Sequence, residues 1–188
     1  MIIGITGNFG SGKTTISNLF KKYGFEVINA DELYHYTYEK DDSLKNKIMK
    51  EFWTLDRNKI KKIVFNDYKK LKKLNNITHP IIIKEIKKII NKIEKNNKNA
   101  KIVLDVPLLI EAKMQSMVDK IIVVKCDEKN QIKRLLKKGK HTRKEIENII
   151  NSQMPQNEKI KYADFVVDNS DALEKTNNQI EAIIKNIT

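Results

Sequence analysis

Five short apolar runs alternate with longer amphipathic stretches along this chain of 188 residues. The runs, which are rich in Ile and Val, lie at residues 2–6, 25–31, 100–107, 120–126 and 164–169. Each is nearly continuous in apolar residues, whereas a half-exposed strand would alternate apolar and polar positions. The pattern therefore predicts five strands that are covered on both faces.

Between these runs, apolar residues recur at the spacing of a helix. Ile16, Leu19, Phe20 and Tyr23 follow the i, i+3, i+4, i+7 pattern, and Gly24 is the expected end of that helix. Further stripes contain Ile86, Ile89, Ile90 and Ile93; Ile132, Leu135 and Leu136; Ile146, Ile149 and Ile150; and Leu173, Ile180, Ile184 and Ile187. Thr142 and Glu145 have the spacing of a capping box. Alternating strands and helices predict an α/β fold with a doubly wound parallel sheet.

The interval between the second and third runs breaks this alternation. It is mostly helical in pattern, and roughly seventy residues are too many for a single crossover. We expect an inserted helical substrate-binding lobe at residues 32–99, within a core formed by residues 1–31 and 100–188. The basic, glycine-containing segment "KKGKHTRKE" separates two later helical patterns. We expect it to form part of a lid at about residues 134–155, which closes over phosphates; the alternative is a solvated charged face.

The composition narrows the possible partners. The net charge is +13, but the lysines are spread through amphipathic stretches such as "IKKIINKIEK" rather than gathered in one arm. We interpret them as solvated helix faces, and no nucleic-acid partner is expected. The single Cys126 excludes a disulfide framework and a four-cysteine zinc site. No apolar run approaches the roughly 20 residues of a membrane span. Without a basic leader, a cytoplasmic protein is expected.

The stretch "GNFGSGKT" at residues 7–14 matches the P-loop pattern G-x-x-x-x-G-K-[ST] in full, between a predicted strand and a predicted helix. Glycines allow the backbone amides to turn inward around phosphate oxygens, and the helix adds its positive end. Lys13 would reach the β- and γ-phosphates of ATP, and the Thr14 hydroxyl would coordinate Mg²⁺. The predicted nucleotide contacts are Asn8, Phe9, Gly10, Ser11, Gly12, Lys13, Thr14 and Thr15. The alternative is a glycine-rich turn that binds no ligand.

Two aspartates lie where predicted strands end. Asp31 is placed at the carboxyl end of the second run, where ligands collect in open α/β sheets. A carboxylate there can accept a proton from an incoming hydroxyl, although Asp31 can also be a helix N-cap. Asp105 ends the third run, where P-loop enzymes hold an acid that orients Mg²⁺-bound water. Its alternative role is to form a turn before Val106 and Pro107.

Other candidate residues lie in the helical insertion. His79 precedes Pro80, so we expect an extended backbone at His79 and a helix that begins at Pro80. His79 either orders an acceptor pocket or acts as a local cap. Arg57 either faces an anionic acceptor or lies at the surface. No His or Cys pair has metal-ligand spacing, so no metal beyond Mg²⁺ is expected.

Three aromatic residues of the insertion have two possible roles. Phe52, Trp53 and Phe65 are apolar enough to build the core of the lobe or to form a platform on which a base stacks. We expect the core role. Cys126 is expected to be a small buried residue.

Taken in order, several blocks resemble the dephospho-coenzyme A kinases along nearly the whole chain. The blocks are "IIGITGNFGSGKTTISNLF", "GFEVINAD", "DRNKIKKIVFNDYKKLKKLNNITHPII", "VLDVPLLIEAKM", "QIKRLL", "INSQMPQNEK" and "ADFVVDNS". The resemblance implies a P-loop NTPase-type three-layer fold with a five-stranded parallel sheet, an inserted helical acceptor-binding lobe and a lid. It also implies ATP-dependent phosphorylation of the ribose 3′-hydroxyl of dephospho-coenzyme A, the last step of coenzyme A synthesis.

The resemblance also assigns roles to single residues. It places the general base at Asp31 and implies acceptor contacts at His79, Arg57 and Glu111, with lid cations at Lys138 and Arg143. The family often has an arginine shortly after "HP"; here Lys84 either takes its place as an acceptor contact or that contact is absent. A monomer or weak homo-oligomer that uses ATP and Mg²⁺ is expected, with dephospho-coenzyme A as its small-molecule partner and no membrane partner.

The chain departs from the family pattern at a few positions. Asn29 stands where the family usually has a first aspartate, and Lys138 and Ile149 stand where arginines are common. Lysine keeps the charge but cannot make the bidentate hydrogen bonds of arginine to phosphate.

Two other functions share parts of the sequence pattern. A nucleoside or nucleotide monophosphate kinase also has a P-loop, a helical insertion and a lid, and the charge of +13 suits a P-loop protein that binds nucleic acid.

Overall fold

A computed structural model describes residues 1–187 and contains one parallel sheet. Its strands are β1 (Ile2–Thr6), β2 (Phe25–Asn29), β3 (Lys101–Asp105), β4 (Lys120–Lys125) and β5 (Phe165–Asp168). The strand order is β2-β3-β1-β4-β5, and every neighbouring pair is parallel. The predicted α/β fold with five strands is confirmed.

Helices connect the strands and fill the long insertion. Within the described residues they are α1 (Lys13–Lys21), α2 (Ala30–Lys40), α3 (Asp42–Phe52), α4 (Arg57–Asn66), α5 (Tyr68–Asn96), α6 (Glu128–Lys137), α7 (Arg143–Asn151), α8 (Gln156–Ile160) and α9 (Leu173–Ile187). None of the helices in this part of the chain is long and apolar enough to cross a membrane.

Contacts divide the chain into two compact units. The first comprises Met1–Asn29 together with the residues from Asn99 onward, and the second is Ala30–Lys98. The first unit therefore holds the sheet, whereas the second holds α2 to α5. The lobe expected from the sequence, residues 32–99, begins two residues later and ends one residue later than this second unit.

The core of the first unit is built by the central strands. Ile3 and Ile5 of β1 and Ile122 and Val124 of β4 are fully buried, and Phe20 of α1 packs with them. Burial on both sides explains why these strands are continuous in apolar residues. Cys126 follows β4 and is buried, as expected; burial raises the pKa of its thiol.

The second unit has its own apolar cluster, which includes Leu44, Ile48, Phe52 and Ile60. Phe52 and Phe65 contribute to this cluster, as expected, but the prediction for Trp53 is wrong. Trp53 is 86% exposed and adopts the left-handed conformation, with φ of 55°, directly after α3. The left-handed turn ends the helical stripe, so the Trp53 side chain lies outside the packed face.

The expected helix boundary at Pro80 is also wrong. His79 and Pro80 lie inside α5, which continues without a break from Tyr68 to Asn96. Proline removes one helical hydrogen bond and crowds the carbonyl four residues earlier. The helix persists because apolar residues before and after Pro80, such as Leu74 and Ile81, pack on the same cluster of the second unit.

The predicted capping box at Thr142 is confirmed. Its hydroxyl accepts a hydrogen bond from the Glu145 amide, and the Glu145 carboxylate accepts one from the Thr142 amide. Gly139 precedes this cap with φ of 65°, in the turn between α6 and α7. Leu136 of α6 is exposed rather than packed, whereas Ile132, Leu135 and Ile146 form a small buried cluster between the two helices.

Candidate nucleotide-binding site

The loop between β1 and α1 owes its shape to its glycines. Gly10 and Gly12 have φ of 83° and 94°, in the region that side chains rarely adopt. A Cβ atom on Gly12 would collide with the side-chain amide of Asn169, and one on Gly7 would collide with the Val124 carbonyl. The end of β4 and the residue that follows β5 thus approach the loop too closely for a side chain at Gly7 or Gly12.

Lys13 begins α1 and turns its ammonium group back into the loop. Its Nζ donates hydrogen bonds to the carbonyls of Gly7 at 2.9 Å and Asn8 at 3.2 Å, and the residue is only 8% exposed. Gly12 is the N-cap of α1 and supplies no side chain to cap the helix. The positive end of the helix and the ammonium group therefore lie together in one loop.

The loop amides divide into two groups. The Phe9 amide donates to Gln153 Oε1 at 2.8 Å, and the Ser11 amide donates to the Asn8 carbonyl at 3.1 Å. By contrast, the amides of Gly10, Gly12 and Thr14 have no hydrogen-bond acceptor among the described residues. Amide donors of this kind, beside an ammonium group, suit the oxygens of a triphosphate. The loop therefore fits ATP, although the individual contacts stay predictions.

The remaining loop residues have different surroundings. Ser11 is buried and its hydroxyl has no hydrogen-bond partner within residues 1–187, whereas the side chains of Thr14 and Thr15 are exposed. The Asn169 side chain donates to the Ser11 carbonyl at 2.7 Å, and its Oδ1 accepts from the Thr176 hydroxyl. Asn169 therefore fixes the loop from the end of β5. It was missed as a support of the loop, although a polar residue at the end of the apolar run "DFVV" was the available signal.

Asp105 lies at the end of β3, as predicted, and is buried. Its Oδ2 accepts a 3.1 Å hydrogen bond from the side chain of Asn29, its register partner at the end of β2. No group of three or more metal-ligating side chains occurs in residues 1–187. Mg²⁺ is typically bound by one or two protein oxygens together with substrate phosphates. The Thr14 hydroxyl and the Asp105 carboxylate are oxygen donors of that kind, so they fit Mg²⁺.

Asp31 belongs to the second unit and does not end a strand. The strand prediction is corrected here, because β2 ends at Asn29 and Asp31 lies in the first turn of α2. A carboxylate in that position is stabilised by the helix dipole. Its side chain is exposed, so a substrate hydroxyl can reach it.

His35 follows Asp31 by one helical turn and was not assigned to the site from the sequence. Arg57 donates to its Nε2 at 3.1 Å, and the Arg57 guanidinium lies 5.8 Å from the centre of the Tyr38 ring. Guanidinium has no acceptor, so the His35 ring is the neutral tautomer that carries its proton on Nδ1. Burial and the Arg57 charge lower the pKa of His35. Arg57 is thereby held beside the helix that carries Asp31.

The other predicted acceptor and lid residues are spread over several helices. His79 is half-buried and Lys84 is exposed, both on α5. Lys138 is exposed at the end of α6, and Arg143 on α7 donates to Glu147 at 2.9 Å. Ile149, where the family often has arginine, is buried and contributes no charge. The roles of these residues stay predictions.

Glu111 lies in the loop after β3 and contacts protein groups. Its Oε1 accepts from the Met154 amide at 3.1 Å and lies 3.0 Å from Nζ of Lys159, which is fully buried. Its predicted contact with substrate stays a prediction. Gln153 and Lys159, which reach the P-loop and Glu111, were missed, although both belong to the block "INSQMPQNEK".

Comparisons with known proteins agree on one family. The family model of dephospho-CoA kinase matches residues 1–175. A dephospho-CoA kinase of Carboxydothermus hydrogenoformans is 43% identical, over 98% of this chain and 93% of that protein. The dephospho-CoA kinase of Aquifex aeolicus is 36% identical, over 99% of this chain and 97% of that protein.

Solved structures that resemble this chain include one of a dephospho-CoA kinase. The structure of a dephospho-CoA kinase from Campylobacter jejuni superimposes with a TM-score of 0.68 at 25% identity, and it covers 99% of this chain and 96% of its own. Thermus thermophilus TT1252 gives a TM-score of 0.80 at 28% identity, over 100% of this chain and 98% of its own. A shikimate kinase from Acinetobacter baumannii, at 11% identity and a TM-score of 0.60 over 99% of this chain and 92% of its own, shares the fold. The chain belongs to the dephospho-CoA kinase family.

Proposed function

We propose that this chain transfers the γ-phosphoryl group of ATP to the ribose 3′-hydroxyl of dephospho-coenzyme A, with Asp31 as the general base. The products are coenzyme A and ADP, and the reaction is the final step of coenzyme A biosynthesis. Family membership supports the substrate and the reaction. The single observation that carries the chemistry is the P-loop, where Lys13 and amides without acceptors converge.

Positioning and charge neutralisation would supply most of the rate. Lys13 would leave the carbonyls of Gly7 and Asn8 for the phosphate oxygens and offset charge that develops in the transition state. The amides of Gly10, Gly12 and Thr14 would hold the phosphates without reorganising. Mg²⁺, when bound by Thr14 and Asp105, would neutralise charge on the phosphate oxygens. Asp31 would accept the proton of the 3′-hydroxyl.

The remaining residues would orient the two substrates. His79, Arg57 and Lys84 would bind the acceptor. Arg57 and Lys84 are cations, and the acceptor is an anion. Lys138 and Arg143 would approach the phosphates of ATP from the segment around Gly139, whose positive φ permits a sharp turn. Closure of such a segment excludes water from the reacting groups.

We also propose the compartment, partners and oligomeric state of the enzyme. A single buried cysteine suits the reducing cytoplasm. Lysines spread over many helices favour a protein without a nucleic-acid partner. We propose a monomer or weak homo-oligomer, which sedimentation at several concentrations would test.

The test of the reaction is a measurement of ADP release with purified variants. Asp31→Asn and Lys13→Met should each lower kcat with dephospho-coenzyme A by at least about 10²-fold. Asp42→Asn, an exposed carboxylate that pairs only with Lys45 in the described residues, should be neutral. Near-normal turnover of Asp31→Asn would show that another group is the base. Greater turnover with nucleoside monophosphates than with dephospho-coenzyme A would favour the alternative kinase function.

A further inference from the structure

The residues that hold the first half of the P-loop come from the segment that follows α7. Gln153 Oε1 accepts a hydrogen bond from the Phe9 amide at 2.8 Å, and the Met154 carbonyl accepts one from the Asn8 side chain at 3.3 Å. These two consecutive residues therefore bind two consecutive residues of the loop. We call Gln153–Met154 the strap.

The Phe9 side chain is held by the same region. Its ring packs on the buried cluster of Ile132, Leu135 and Ile146, which joins α6 to α7. It also meets the His141 ring edge to face, at 5.5 Å between centroids. Both the amide and the ring of Phe9 are thus fixed by α6, α7, the turn between them and the strap, rather than by the strand or helix that flank the loop.

A buried ion pair anchors the strap on its other side. The Met154 amide donates to Glu111 Oε1, which also contacts the ammonium group of Lys159. Lys159 is 0% exposed, and its Nζ donates to the Pro107 carbonyl at 2.9 Å as well. The Thr6 hydroxyl donates to the same carbonyl at 3.0 Å. The network therefore runs from the end of β1, through the loop after β3, to the strap.

Because the Glu111–Lys159 ion pair is buried, loss of either partner is costly. Removal of water lowers the pKa of Lys159, while Glu111 opposes this effect. Loss of one partner would leave the other charge buried and unpaired, which is far more costly than replacing both by neutral groups. The second carboxylate oxygen of Glu111 is already buried without a hydrogen-bond partner in the part of the chain that the structure describes. The position of Met154 thus depends on both partners.

We propose that Gln153 and the Glu111–Lys159 pair are positioning residues for ATP, which act through the P-loop. The strap engages the Phe9 amide, and the loop after Phe9 is left with the amides of Gly10, Gly12 and Thr14 to bind the phosphates. In this account Glu111 supports the loop instead of binding the acceptor. The proposal rests on the proposed function, because it requires the P-loop to be the ATP site.

The first test compares two glutamines of the same cavity. A cavity of about 290 Å³ is lined by both Gln153 and Gln156, and Gln156 Oε1 accepts from the Cys126 amide at 2.9 Å. Gln153→Met and Gln156→Met therefore each remove one hydrogen bond of the same type, but only the first bond reaches the P-loop. Binding of the fluorescent analogue methylanthraniloyl-ATP is measured without acceptor. Gln153→Met should raise Kd about 5- to 10-fold, as expected for one lost hydrogen bond, and Gln156→Met should change it less than about twofold.

Hydrogen exchange tests the strap without nucleotide. The Phe9 amide should exchange faster in Gln153→Met, whereas Gln153→Glu, which keeps an acceptor oxygen, should preserve its protection. Equal weakening of nucleotide binding by the two Met variants would overturn the proposal, as would unchanged Phe9 exchange and Kd in Gln153→Met. If the wild-type protein failed to bind the analogue, the ATP site itself would be wrong, while the exchange experiment would still report on the strap.

The ion pair is tested by a rescue. Lys159→Met should raise Kd for the analogue about tenfold or more. Adding Glu111→Gln, which keeps an acceptor for the Met154 amide without a charge, should recover Kd to within about threefold of wild type. A double variant that binds no better than Lys159→Met would contradict the positioning role of the pair.

Discussion

The side-chain amide of Asn29 donates a 3.1 Å hydrogen bond to Oδ2 of Asp105, across two strands that pair in register at these residues. This contact gives a reason for the asparagine at residue 29, where the family usually has an aspartate. An aspartate there would bring two carboxylates together at the end of the sheet, which is unfavourable unless a cation lies between them. Asparagine avoids that repulsion and orients the carboxylate that we assign to Mg²⁺.

Asn29→Asp should therefore make stability depend on Mg²⁺. We expect its Tm to fall by a few degrees in EDTA, and to recover at millimolar Mg²⁺, because the cation offsets the added charge. Asn29→Ala removes the hydrogen bond without adding charge, so its Tm should respond to Mg²⁺ less than that of Asn29→Asp. Thermal unfolding followed by circular dichroism measures both. The idea fails if Asn29→Asp has the same Tm in EDTA and in Mg²⁺.

Gly12→Ala should abolish nucleotide binding and destabilise the first unit. The new Cβ would meet the Asn169 side chain, which would lose its bond to the Ser11 carbonyl, and φ of 94° is strained for alanine. Gly24→Ala is a matched control, because Gly24 also has positive φ but no atom of the described residues lies within 4 Å of the place that a methyl group would take. We expect a loss of about 1 kcal/mol for Gly24→Ala and at least about twice that for Gly12→Ala. Urea unfolding measures both losses, and equal values would contradict the role of Asn169.

Acid should weaken the binding of dephospho-coenzyme A through His35. Its lowered pKa, caused by burial and by Arg57, keeps the ring neutral near pH 7 and able to accept from Arg57. The positive charge of Lys61 favours the same neutral form, whereas Asp31 and Glu39 favour the protonated one. Since the folded pKa is depressed, the stabilisation is complete above the ordinary histidine pKa of about 6.5 and is lost as pH falls through the folded value.

The corresponding measurement is KM for dephospho-coenzyme A between about pH 5 and 8, the range that brackets an ordinary histidine pKa. It should rise on acidification in the wild type, as protonated His35 releases Arg57, and the rise should flatten in His35→Gln, which does not titrate. KM for ATP serves as the internal control and should follow a different profile. A wild-type KM for the acceptor that does not change over this range would exclude a role for His35.

Trp53→Gly should stabilise the second unit. Trp53 is exposed and occupies a left-handed position at the end of α3, where glycine has no Cβ penalty. We expect a gain of about 1 kcal/mol in the free energy of unfolding. Trp53→Ala keeps a Cβ atom and should gain little. Urea unfolding followed by circular dichroism distinguishes them; equal stability of the two variants would mean that backbone strain at residue 53 is negligible.

Local patterns were sufficient for the presence of the five strands, the capping box and the P-loop, although they placed the end of β2 two residues too late, at Asp31 instead of Asn29. Each depends on residues close in sequence, such as Thr142 with Glu145, or on burial that excludes polar residues from a whole run, as in β1. The P-loop pattern was readable because its glycines and Lys13 have a fixed spacing that the chemistry demands.

Other features depended on contacts that no local pattern carries. Gln153 and Phe9 are 144 residues apart, so their hydrogen bond is visible only after the chain has folded. Local rules also failed at Pro80, where packing on both sides keeps the helix intact, and at Trp53, where a single backbone angle turns an apolar side chain into solvent. Tertiary contacts decided the course of α5 against the local preference.

Cys126 has a consequence for an enzyme whose product bears a thiol. Coenzyme A can form mixed disulfides with proteins, and such exchange requires an accessible cysteine in its thiolate form. Cys126 is the one cysteine of the chain, and it is both covered and held in its protonated form by burial. The enzyme should therefore resist inactivation by the oxidised form of its own product.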